Sequence, residues 1–198
     1  MRFVRISFAA AAALAVAAPV LAQPAKWNVD SAHSASQFAV KHLMVSTVRG
    51  QFGKTAGSIQ WDGQDYKTIV AEATIDATTV DTREPKRDEH LKSPDFFDAA
   101  RFPTITFKSK RVEGVSGSRF KLVGDLTMRG VTKEVVLDVE ATPVVKGMRG
   151  ESRVGAHATG RINRQDFGVS WSRTLDAGGL VVANEVDIVI DLELIRQD

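Results

Sequence analysis

Near its end the chain runs EVDIVIDLEL from Glu185 to Leu194. Val186, Ile188, Ile190, Leu192 and Leu194 fall on one side of an extended chain, and Glu185, Asp187, Asp191 and Glu193 on the other. Successive side chains of a strand point to opposite faces, so a period of two predicts a strand with one apolar and one wet face. The same alternation recurs along the chain. Ser36, Phe38, Val40 and His42 share a face within Trp27–His42; Val48, Gly50 and Phe52 share the next, and Ile59 with Trp61 follow the Gly53–Gly57 interruption. Ile69, Ala71, Ala73, Ile75 and Ala77 alternate with Glu72, Thr74 and Asp76 over a length unusual for one strand. Further strands are predicted at 104–112, 119–128, 133–142 and 153–163, the last with Val154, Ala156, Ala158 and Ile162 on one face.

One solvated face per strand points to antiparallel pairing, and the connections are mostly too short for parallel crossovers. The expectation is an all-β chain forming an extended antiparallel eight-stranded barrel, with a sandwich as the structural alternative. Such a closed sheet is wide enough for side chains or one slender ligand. The inward alanines 71, 73, 77, 156 and 158 favour a barrel with room inside.

The alternation stops once, in RDEHLKSPDFFDAARFPTITF from Arg87 to Phe107. Ser93-Pro94-Asp95 reads as a helix start, with Ser93 capping and Pro94 at the first helical position. Phe102-Pro103 reads as its end, because a residue before proline is pushed toward extended geometry. A short helical connection around residues 83–99 is therefore expected, with Phe96 and Phe97 on one helix across an end of the barrel. Neighbours on a helix lie about 100° apart, so one ring would anchor and the other face the interior.

Residues 1–22 have the form of a cleavable export signal. Arg2 and Arg5 precede an alanine-rich apolar run, and Val20-Leu21-Ala22 ends it in a small-residue cleavage pattern. Cleavage after Ala22 would leave residues 23–198 as one soluble domain in the periplasm, without stable membrane insertion. Removing Arg2 and Arg5 takes Lys+Arg from 26 to 24, equal to the 24 Asp+Glu, so the remaining chain is formally neutral. With no basic cluster, nucleic acid is a poor partner. No cysteine is present, which excludes disulfides and leaves stability to the core.

The chemistry-bearing residues assemble no catalytic pattern. His33, His42 and His90 with Asp30 and Asp88 lack tight metal-ligand spacing, so no metal or cofactor is expected. Asp166-Phe167-Gly168 matches a kinase metal-binding string without its glycine-rich loop, and reads as a turn in which Arg164 pairs with a carboxylate. Ser34 and Ser116 lack a nucleophile elbow. Phe38, Phe52, Trp61, Phe96, Phe97, Phe107 and Trp171 could fill a core or line a tunnel, and on residue type alone core filling is favoured.

Four clusters stand out: Trp27-x-x-Asp30-x-x-His33-Ser34-x-x-x-Phe38-x-x-x-His42; Arg87-Asp88-x-His90-Leu91-x-Ser93-x-Asp95-Phe96-Phe97 with Phe102-Pro103-x-Ile105-x-Phe107; Gly124-x-Leu126-Thr127-x-x-Gly130-Val131-Thr132-Lys133; and Ile162-Asn163-Arg164-x-Asp166-Phe167-Gly168. Together they resemble the YceI-like family of lipocalin-like polyisoprenoid-binding proteins. They stand in the family's order and cover essentially all of residues 26–195. The resemblance implies an exported, non-enzymatic barrel, often a homodimer, whose apolar tunnel holds an isoprenoid-type lipid such as a polyprenyl or quinone tail. On that basis Phe38, Val40, Phe52, Trp61, Ile75, Phe96, Phe97, Phe107, Leu122, Leu126, Phe167 and Trp171 are expected along the tunnel. His33, His42, Asp88, His90 and Arg164 are expected as polar groups at its mouth. An enzyme acting on a hydrophobic substrate in the same cavity, and a filled barrel without ligand, are the competing classes.

Overall fold

The computed structural model describes residues 24–174 and 178–197; the expected leader, 1–22, lies outside them. The alternating segments are strands, in chain order β1 (Ala25–Val29), β2 (Ala35–His42), β3 (Ser46–Phe52), β4 (Thr55–Trp61), β5 (Val70–Asp76), β6 (Val80–Asp81), β7 (Thr104–Ser116), β8 (Arg119–Met128), β9 (Val131–Ala141), β10 (Val145–Lys146), β11 (Ser152–Asn163) and β12 (Val182–Gln197). One α-helix, α1 (Pro85–Lys92), stands between β6 and β7.

All pairings are antiparallel, and the sheet closes on itself. Neighbours run β11-β9-β8-β7-β5-β4-β1-β12, and β11 pairs with β12 from Arg153 opposite Ile195 to Asn163 opposite Glu185. Three walls are made of two strands in line. β1 and β2 pair with successive stretches of β12; β3 continues as β4, and β5 as β6. Counted by wall, β1/β2, β3/β4, β5/β6, β7, β8, β9, β11 and β12 form a closed eight-stranded meander. A closed sheet leaves few open edges.

Of the breaks inside these walls, the one at Gly53 shows in the sequence as an interruption, and the other two are made by short local turns. Between β1 and β2 the chain turns at Asp30, whose Oδ1 accepts from Ala32 N at 3.1 Å. The apparent long strand from Lys67 to Thr79 is β5 flanked by two 3-10 turns, Tyr66–Thr68 and Ala77–Thr79. Asp65 and Asp76 initiate them, each accepting from the backbone N–H two residues on. β8 and β9 join through Arg129-Gly130, both at positive φ (52° and 75°), a geometry that suits the twist of two flanking strands.

The helix differs from the sequence expectation. It runs over Pro85–Lys92 with Glu84 as its N-cap and Pro85 in its first turn, and Ser93 is its C-cap at φ −68°, ψ 170°. Phe96 and Phe97 lie beyond it, in a series of turns. The restriction expected at Phe102-Pro103 acts one proline earlier: Pro94 forces Ser93 extended, and the helix ends there.

Outward faces carry cross-strand ion pairs, including Lys121–Asp138 and Arg161–Asp187, both at 2.6 Å. These exposed pairs add little stability each but fix which face is wet. Inside, rings need space on the neighbouring strand. A Cβ on Gly50 would lie 2.3 Å from Phe38 Cζ, and one on Gly124 would lie 2.4 Å from Phe107 Cζ. Glycine within these strands admits a ring laid across the backbone.

Candidate ligand cavity

The inward faces of the walls do not meet along the axis. They enclose a cavity of about 380 Å3, within the usual range of small-molecule sites. Its wall runs from Trp27, Trp61 and Val154 at one end to Phe97, Trp171 and Val181 at the other. Phe120 to Met128 spans eight residue steps on β8, about 20 Å along the axis allowing for strand tilt. Nearly all the lining is apolar. Ala71, Ala73, Ala156 and Ala158 leave the width, and Leu122, Leu126, Leu137, Ile188 and Ile190 supply the hydrocarbon.

The first end is shut by stacked rings. Trp27 and Trp61 are 5.6 Å apart, Trp61 stacks on Tyr66 at 5.3 Å, and Tyr66 on Phe120 at 4.9 Å. Trp27 Nε1 donates to Trp61 O at 3.3 Å. Tyr66 comes from the 3-10 turn before β5, held by Asp62 and Asp65, whose carboxylates accept the N–H groups of Gln64, Asp65 and Lys67 at 2.8–2.9 Å. Trp27, Trp61, Val154 and Leu194 form a fully buried cluster here.

At the other end, α1 and the turns after it lie across the opening. Asp88 pins the helix to the end of β6 by accepting from Thr82 N at 2.8 Å and Thr82 Oγ1 at 2.6 Å, and Arg87 Nε donates to the same hydroxyl at 2.8 Å. Phe96 is buried, with its ring 5.5 Å from Trp171 and 5.0 Å from His90, and Arg129 donates to Phe96 O and to Pro94 O. Phe97 is half-buried and meets Phe52 and Phe38 edge-on at 5.6 and 6.5 Å. One ring holds the segment down; its neighbour closes on rings of β2 and β3 inside the opening.

Polar groups on the wall are few. Halfway along, Ser36 Oγ and Thr55 Oγ1 share a hydrogen bond of 2.9 Å, both residues being buried. His42, His90 and Arg164 line the opening, His90 also bonding Asp95 at 2.8 Å. Arg164 is 4% exposed, and among the described residues it has no carboxylate partner. It donates to the carbonyls of Ala183, Val169 and Val182 and to Asn184 Oδ1, satisfying backbone left unpaired where β12 slips register against β2. The carboxylate pairing expected for Arg164 is therefore replaced by carbonyls, and burial lowers its pKa from the ordinary arginine value.

Of the residues the sequence reading placed along the tunnel, Phe38, Val40, Phe52, Trp61, Ile75, Phe96, Phe97, Phe107, Leu122, Leu126 and Trp171 stand on the cavity wall. Phe167 does not. It is 1% exposed and packs behind the wall in a cluster with Ala77, Ile105 and Met128, because its 3-10 turn lies under the barrel end. Asp88 braces α1 without reaching the cavity. His33 is at the opposite end, on the outer surface, where the turn between β1 and β2 carries it. Its Nδ1 bonds Asp30 Oδ2 at 2.9 Å, and Arg153 bonds Asp30 at 3.1 Å as well as Glu151 and Glu193. Asp30, His33 and Glu193 could offer one ligand atom each to a metal, but the Arg153 guanidinium already supplies a cation to both carboxylates. The sequence reading missed the Ser36–Thr55 pair and Tyr66. Ser36 was legible as inward, but the facing hydroxyl depends on pairing across the break between β3 and β4.

A closed antiparallel barrel with an apolar lumen, one plugged end and one end under a short helix is a hydrophobic-ligand container in its geometry. A profile of the YceI-like domain matches residues 27–194, and the chain belongs to that family. A UPF0312 protein of Staphylococcus aureus (strain MSSA476) is 41% identical over 161 residues, 81% of this chain and 91% of the relative. The crystal structure of the Campylobacter jejuni YCEI protein aligns with TM-score 0.70 and 31% identity over 80% of this chain and 90% of that one. Burkholderia cenocepacia BcnA aligns with TM-score 0.71 and 25% identity over 83% and 98% of the two chains. A polyisoprenoid binding domain from Saccharophagus degradans, at TM-score 0.65 and 15% identity over 86% and 98%, shares the fold.

Proposed function

We propose that the barrel is a carrier that holds one long apolar lipid of isoprenoid type, a polyprenyl or quinone tail, without chemical turnover. The observation that carries this reading is the lumen, an apolar cavity continuous from the Trp27–Trp61 plug to Phe97 and lined along its middle by small and branched aliphatic residues. Removing a hydrocarbon chain from water is worth about 25 cal/mol per Å2 of surface and needs no directional contact. The few polar groups at the opening leave room for a head group. Membership of the YceI-like family and the polyisoprenoid-binding description of the Saccharophagus degradans domain support the ligand class. The same reading has the chain exported, cut after Ala22 and released to the periplasm, where it works alone or as a homodimer.

The test is mass spectrometry of organic extracts from protein purified out of its native compartment. A stoichiometric isoprenoid-tailed lipid is expected, along with an intact mass beginning at Gln23. Recovery of no lipid, or turnover of a substrate that depends on His42 or His90, overturns the carrier reading.

A further inference from the structure

The turn between β2 and β3 is occupied by residues that such turns avoid. Leu43 and Met44 have φ of 52° and 60°, and Val45 N donates to His42 O at 3.0 Å. Left-handed backbone in a hairpin favours Asn and Gly, because Cβ crowds the following carbonyl there; Gly has none, and the short Asn side chain offsets the cost by bonding locally. Instead three apolar side chains follow one another, and all are in water: Leu43 is 39%, Met44 58% and Val45 84% exposed. Both the backbone strain and the exposure are unfavourable to the isolated fold.

The position of this tip suggests its use. His42, one residue before it, lines the cavity, and Leu43 N donates at 2.9 Å to the carbonyl of Val181, another lining residue. The tip therefore stands on the rim of the opening that Phe97 closes. The stretch from Ser31 to Trp61, which forms β2, β3 and β4, contains no Asp or Glu, while Lys41 and Arg49 flank the tip on exposed positions. An apolar tip between cations is complementary to a bilayer that offers anionic head groups above hydrocarbon.

We propose that Leu43–Val45 docks the barrel reversibly on an anionic phospholipid surface, with the cavity opening turned to the bilayer. Three side chains and two charges give contact without lasting anchorage, since even one long acyl chain binds a membrane only marginally. The purpose of docking, passage of cargo between bilayer and lumen, rests on the carrier reading; the docking itself is measured whatever the cavity contains.

The experiment is flotation of the mature chain with vesicles of phosphatidylethanolamine and phosphatidylglycerol, against vesicles of phosphatidylcholine alone. The wild type is expected to float with the anionic vesicles and to detach as salt rises. Met44→Asp is expected to lower the vesicle partition coefficient at least about tenfold. Met148→Asp should leave it unchanged, because Met148 is fully exposed on the hairpin before β11, at the Trp27 end. Leu43→Asn with Met44→Gly should raise the melting temperature and still abolish flotation, which a merely structural turn would not show. Docking is overturned if wild type stays with the soluble fraction, or if Met44→Asp floats like wild type. It is also overturned if ultracentrifugation shows a wild-type dimer that Met44→Asp dissolves, which would make the tip a contact between copies. Lipid extracts of the same samples separate the two proposals: wild type that floats but yields no lipid overturns the carrier reading and leaves docking in place.

Discussion

The two ends of the barrel are both aromatic, but they are built differently. At the Trp27 end, Trp61 of β4, Tyr66 of the turn before β5 and Phe120 of β8 stack in series, Trp27 of β1 tilts against Trp61, and Trp27, Trp61 and Phe120 are buried. At the Phe97 end Phe97 meets Phe38 and Phe52 edge-on, all three rings are half-buried, and the covering segment is held by Thr82, Asp88 and Arg129 rather than by sheet pairing. A ring stacked inside a closed sheet cannot leave without unfolding strands. A ring on a turn after a helix needs only local movement. The same residue type thus serves as floor at one end and as shutter at the other.

Four outcomes would sharpen or break that contrast. Trp27→Ala should have the largest effect, about 3–5 kcal/mol of stability lost in urea unfolding, as for other buried aromatics cut to alanine; a loss below about 1 kcal/mol would mean the floor is not packed. Next come the neighbours at the shutter. Phe96→Ala should cost about 3 kcal/mol, whereas Phe97→Ala should cost about 1 kcal/mol and speed release of a fluorescent apolar probe roughly tenfold. Equal melting losses with unchanged release would make both rings ordinary core.

Ala156→Phe should change stability by no more than about 1 kcal/mol, because the ring enters an existing lumen, and should lower the amount of lipid recovered. A large destabilisation would show that the middle of the barrel is filled by its own side chains. The smallest effect belongs to His33 at the outer surface of the floor end. Its hydrogen bond to Asp30 raises its pKa above the ordinary 6.5, while the same bond lowers that of Asp30. A raised folded pKa means that this pair stabilises below about pH 6.5 and fades as pH rises through the folded value. The melting-temperature difference between wild type and His33→Ala should accordingly shrink from pH 6 to pH 8, with lipid content unchanged. A difference that grows would reverse the assigned sign.

Much of the barrel was legible because a period of two survives almost any local disturbance. Val186 to Leu194 and Phe120 to Met128 face inward as their alternation says. The breaks are changes of phase. Asp30–Ser34 moves the inward positions from Trp27 and Val29 to Ser36 and Phe38, and Ala77–Thr79 moves them from Ala73 and Ile75 to Val80, which pairs opposite Phe52. Each break is only a few residues long, so two strands in line read as one. The helix was misplaced by giving Pro94 an initiating role when Pro85, behind a capping Glu84, already had it. The aim of Phe97 follows from the turns after that helix, and turns carry little periodic signal. Arg164 was expected to seek a carboxylate because charge pairing is the commonest answer to burial. The register slip at Val182–Val186 offered it unpaired carbonyls instead, and such a slip has no signature in one sequence.

The last strand also sets the order of assembly. β12 pairs with β11 on one side and with both β1 and β2 on the other, so Trp27 finds its partner Arg196 across nearly the whole chain. Loop closure over that separation is slow, and pairings of this kind delay folding. Until residues 182–197 emerge during synthesis, β1 and β2 have no strand to bind along that side, and the nascent chain remains an open sheet with its greasy face uncovered. Such a chain cannot lock early, which keeps it threadable and makes it dependent on whatever shields it in the interval.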